Sequence, residues 1–70
     1  MFLIVETEDD VTETVVGPIP NIEGAVKGLT HIALVANRGL SAKDFKAIDE
    51  RHSIKVGTKV LSVIPSPNVG

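Results

Sequence analysis

The stretch ETEDDVTET, residues 6–14, carries five carboxylates (Glu6, Glu8, Asp9, Asp10 and Glu13) and no basic side chain. Such a cluster could hold a metal, run acid–base chemistry or attract a positively charged partner. It does not fit a calcium loop, which needs ligands at alternating positions around a glycine turn and a distant glutamate. For acid–base work Glu6 and Glu13 would have to be buried side by side, so that their titrations separate. Threonines on either side and an open turn between them argue against burial, so no catalytic residue and no metal ligand is assigned. Two readings remain: a solvated hairpin tip, and a contact for a protein partner with a basic surface, because fixed negative charge steers association.

The other chemistry-bearing residues are sparse. His31 and His52 are the only imidazoles, and no HxxxH, HxH or HExxH spacing joins them to further ligands. There is no cysteine, which excludes disulfides, zinc knuckles and thiol chemistry. Ser41 and Ser53 lack a nucleophile-elbow context. No phosphate loop or dinucleotide fingerprint occurs, and Gly24 and Gly28 read as close helix packing, so no cofactor is expected. Arg38, Lys43, Lys46, Arg51, Lys55 and Lys59 form a basic set that could meet phosphates, and nucleic-acid binding is the alternative function. Against it, the charges alternate with Asp44, Asp49 and Glu50, and the chain has no Tyr or Trp on which bases could stack.

These residues must be positioned by few elements. FLIVETE and VTETVV are β-branched runs separated by Asp9-Asp10, which predicts a hairpin pairing Leu3 with Val16, Ile4 with Val15, Val5 with Thr14, Glu6 with Glu13 and Thr7 with Thr12. Pro18 and Pro20 break the strand and Asn21 is a helix cap. Apolar residues at 22, 25, 26, 29, 32, 33 and 36 then follow helical spacing, and Asn37-Arg38-Gly39 supplies a stop, predicting a helix over about 22–36. Leu34 and Val35 lie off its stripe. The competing reading ends the helix at Gly28 and makes THIALVA a strand. Ser41 with Asp44 predicts a capped second helix over about 42–52, with Leu40 stapled to Phe45, Phe45 and Ile48 inward and Lys46–Glu50 paired outside. Residues 54–64 read as one final strand, bent near Gly57. The expected fold is α+β: a small three-stranded sheet in the order β-β-α-α-β with two helices on one face, or alternatively a four-stranded ββαβαβ domain. Residues 1–64 form one domain and 65–70 a flexible C-terminal tail.

Charge is unevenly spread. Residues 1–26 carry six acidic and no basic groups, whereas 27–70 carry seven basic and three acidic ones, together the net −2 of the chain. That polarity, and 43 % hydrophobic residues in a chain too short to bury a large core, point to self-association, with Leu34 and Val35 as candidate contacts. MFLIVETE has no basic leading region and only a short apolar run, so neither a signal peptide nor a membrane span is expected and a cytoplasmic location follows. In size and layout the chain resembles small phage-encoded proteins that bind and redirect host machinery. The expected function is a small regulatory or inhibitory module that binds a larger partner by surface contact.

Overall fold

Asp9 and Asp10 both adopt positive φ (51° and 66°), the conformation that two-residue hairpin turns require. They join β1 (Phe2–Glu8) to β2 (Val11–Ile19). In the computed structural model, which describes residues 1–37 and 39–66, α1 (Ile22–Ala36) and α2 (Ala42–Arg51) follow, and then β3 (Ser53–Val56) and β4 (Lys59–Pro65). The sheet is wholly antiparallel, in the order β2-β1-β4-β3.

The expected three-stranded sheet is corrected to four strands, the number in the alternative reading. The extra strand arises inside residues 53–65. Gly57, at φ +64°, and Thr58 form a second two-residue turn, and Val56 pairs with Lys59 across it. Residues 30–36 stay helical because Leu29 and Ala33 are fully buried on the same stripe as Ala25. Packing along that stripe outweighs the propensity cost of about 1 kcal/mol at each of Gly24 and Gly28.

The β1–β2 register agrees with expectation from Val5↔Thr14 to Glu8↔Val11 and then slips. Ile4 pairs with Val16, so Val15 is the extra residue of a bulge, and a second irregularity follows before Phe2↔Ile19. Gly17 sits in that irregular stretch with its backbone against Leu3, where a Cβ would collide with the leucine Cδ2.

One apolar layer lies between sheet and helices. Ile4, Leu29, Ala33, Ile48, Ile54 and Leu61 form it, with Ile19, Val26, Ile32, Leu40, Val56 and Val63 around the edge. The opposite side of the sheet bears no helix. Val5 is nevertheless only 5 % exposed there, shielded by its cross-strand neighbours Thr14 and Ser62. Hydroxyl pairs line this side, Thr7 with Thr12 at an exposed position and Ser53 with Ser62 at a half-buried one.

Both helix starts are built as the sequence indicates. Asn21 accepts from the Gly24 N–H at 2.8 Å. Ser41 and Asp44 form a reciprocal capping box, the Ser41 N–H donating to Asp44 Oδ2 at 2.9 Å and the Asp44 N–H to Ser41 Oγ at 3.4 Å. Phe45 departs from its inward placement and is 40 % exposed. Ile48 is the one fully buried residue of this short helix, and Phe45 lies about 60° around the axis from it, beside Val26 and Thr30 of α1. At the chain's end, β4 runs to Pro65 and the Ser66 N–H donates to the Met1 carbonyl. Residues 67–70 of the expected tail lie outside the described residues. No described helix is long and apolar enough to cross a membrane. Replacing Ser41 by Ala removes the α2 cap and is expected to lower stability by about 1 kcal/mol. A thermal melt identical to that of the parent protein would contradict that role.

Candidate functional site: the acidic hairpin end

The carboxylates of residues 6–13 gather at one end of the molecule because β1 and β2 run on past the core. Glu6, Glu8, Val11 and Glu13 all point to the helix side of the sheet, since Glu6 pairs with Glu13 and with the core residue Leu61. Beyond the helices they find no apolar cover. Together with Lys59 of β4 they line a shallow depression.

Among the described residues, Lys59 is the single cation in that depression. Its Nζ lies 3.0 Å from Glu6 Oε1. The hydrogen bond to Glu6 and the charges of Glu6, Glu8 and Glu13 raise its titration above the ordinary lysine value of 10.5. Thr58, in the neighbouring turn, donates its hydroxyl to Glu8 Oε2. The two hairpins are thus tied at this end by one ion pair and one hydrogen bond, both solvated. Asp9 and Asp10 are exposed at the turn itself. No side chain here is buried, and among the described residues no three His, Asp or Glu groups converge as metal ligands. The arrangement can present negative charge.

The remaining candidates are dispersed. Leu34 and Val35 are exposed on the last turn of α1, 37 % and 71 % accessible. Lys43, Lys46 and Arg51 share the outer side of α2 with Glu50, and Lys46 pairs with Glu50 at 3.9 Å. Lys55 is exposed on β3, and its neighbour in the ladder is Val60. Lys59 does not join the basic set, being held by Glu6. Arg38 lies outside the described residues. His31 is exposed on α1, whereas His52 caps α2 in the left-handed region, its N–H donating to the Ile48 carbonyl. The Glu6–Lys59 pair went unforeseen from sequence. Its signal was Gly57-Thr58 between apolar runs, a hairpin turn that begins a separate strand at Lys59.

No family model, curated protein or solved structure matches the chain.

Replacing Lys59 by Gln leaves Glu6 opposite Glu13 without a cation, and like charges opposed across a strand pair destabilise. A modest loss of stability is expected at low ionic strength and should vanish near 1 M salt, where exposed charges are screened within about 3 Å. The sign with pH follows from the raised lysine titration. The pair contributes fully below the ordinary lysine value and is lost as pH rises through the elevated one. Chemical denaturation of the variant and the parent should therefore converge at strongly alkaline pH. A difference independent of both salt and pH would refute an electrostatic role.

Proposed function

We propose that this chain is a small regulatory or inhibitory binding module of the cytoplasm, not an enzyme, that engages a protein with a basic surface through its acidic hairpin end. The observation that carries the reading is the charge at that end. Among the described residues, Glu6, Glu8, Asp9, Asp10 and Glu13 are opposed by Lys59 alone, leaving four uncompensated negative charges on one solvated projection. Charge so concentrated accelerates encounter with a cationic surface, and only weakly affects the stability of the protein that carries it. None of these carboxylates is buried, which supports a contact surface over a catalytic pair.

The basic side of α2 is the basis of the alternative, nucleic-acid binding. Its charge is reduced by Glu50 and by the commitment of Lys59 to Glu6, so the hairpin reading is preferred.

Glu8→Gln, Asp9→Asn and Asp10→Asn combined are expected to leave the melting temperature nearly unchanged. In affinity capture from a lysate of the source cells, the parent protein should retain a basic protein that the triple variant loses. Association with that protein should slow several-fold in the variant and lose much of its salt dependence. Equal capture by both forms would overturn the proposal, and so would retention of nucleic acid by both.

A further inference from the structure

A groove runs between α1 and α2 on the outside of the helix layer. Its floor is apolar, formed by the half-buried Ile22 and Val26 of α1. It continues past Val26 towards Thr30 and Phe45. The Ile22–Val26 part has a volume of about 360 Å³, within the range of small-molecule sites.

Each wall of this part carries one acidic and one basic side chain, Glu23 and Lys27 from α1, Asp49 and His52 from α2. None of the four side chains makes an ion pair or a hydrogen bond among the described residues. For Glu23 and Lys27 that is a departure, because their (i, i+4) spacing in this order favours a pair. Lys46 and Glu50, at the same spacing, do pair. Lys27 and Asp49 thus stand on opposite walls with opposite charges, and they do not meet. The α2 wall is fixed to the fold at its end. The His52 N–H donates to the Ile48 carbonyl at 2.9 Å, and the His52 carbonyl accepts from the Val63 N–H of β4 at 2.8 Å.

We infer that this part of the groove binds a free α-amino acid with an aliphatic side chain. Charge complementarity selects that occupant. An α-amino acid carries a carboxylate and an ammonium on one carbon, so it can turn the first to Lys27 and the second to Asp49. Its side chain then lies on Ile22 and Val26, and removal of that apolar surface from water adds to the affinity. A purely anionic ligand would meet Glu23 and Asp49 as like charges, and a purely cationic one would meet Lys27. Within a polypeptide the two terminal charges stand at opposite ends of the chain, so the match is to the free amino acid. The site lies far from the acidic turn, since β2 runs the length of the sheet from that turn before α1 begins. It does not depend on the partner contact proposed above.

Titration of the ¹⁵N-labelled full chain with L-leucine, read by amide chemical shifts, should give saturable shifts over residues 22–27 and 49–52. The dissociation constant should be on the order of millimolar, as expected of so small a ligand in an open site. Isopentylamine, which lacks the carboxylate, and 4-methylpentanoate, which lacks the ammonium, should each bind several-fold more weakly. Asp49→Asn should abolish the advantage of leucine over 4-methylpentanoate, and Lys27→Gln its advantage over isopentylamine. Both positions are exposed, so neither variant threatens folding. Lys43→Gln, on the outer side of α2, should change neither comparison. Unsaturated or absent shifts up to about 50 mM leucine would overturn the inference. So would equal binding of the three compounds, or a preference for leucine that survives both wall variants.

Discussion

The pairing of β1 with β4 is the constraint on which the rest of the molecule depends. Six successive pairs, from Phe2↔Pro65 to Thr7↔Val60, join the two ends of the chain in the middle of the sheet. Each flanking hairpin alone would be marginal in water, since two strands rarely stand without a third or a helix. The central pair also assembles the core. Ile4 comes from β1 and Leu61 from β4, and α1 closes over both through Leu29 and Ala33. Because the contact spans nearly the whole chain, the entropy of closing that loop must be met by a few well-packed aliphatic residues.

That topology also determines which surfaces are left over. β1 is interior, so β2 hangs outside it as an edge, and the helix layer, centred over β1, β4 and β3, makes its smallest contact with it, near Ile19. The same hairpin runs on beyond the helices and carries the carboxylates into solvent. One displacement of the helix layer therefore produces both an apolar ledge along β2 and an acidic projection at its tip. Lys59 and Thr58, from the second hairpin, hold the projection to the sheet, so its charge is presented on an ordered scaffold.

Much of the local architecture was legible in the residues. Asn21 and Ser41 each mark a helix start with a side chain that can satisfy a free amide, and both do so. Asp9-Asp10 between two β-branched runs specified the first hairpin and its register near the turn. Further along, the pattern ran out, since Val15 and Val16 are interchangeable by type and only tertiary packing decides which one bulges. The β3–β4 turn was harder. Ser53–Val56 is too short to show alternation, and Gly57 reads equally well as a bend or a turn until Val56 is seen opposite Lys59. Misplacing that turn concealed the Glu6–Lys59 pair, and with it the position of Lys59 among acids. The uncovered ledge could not be read at all, because it depends on where the helices sit across the sheet and not on any one residue.

The most direct discriminating measurement is hydrogen–deuterium exchange of the protein alone and in complex with the protein it captures. Slower exchange on binding is expected over the hairpin end, residues 6–13, with the amides of α2 unchanged. Slowing confined to α2, where Lys43, Lys46 and Arg51 lie, would contradict recognition through the acidic hairpin and assign it to the basic helix.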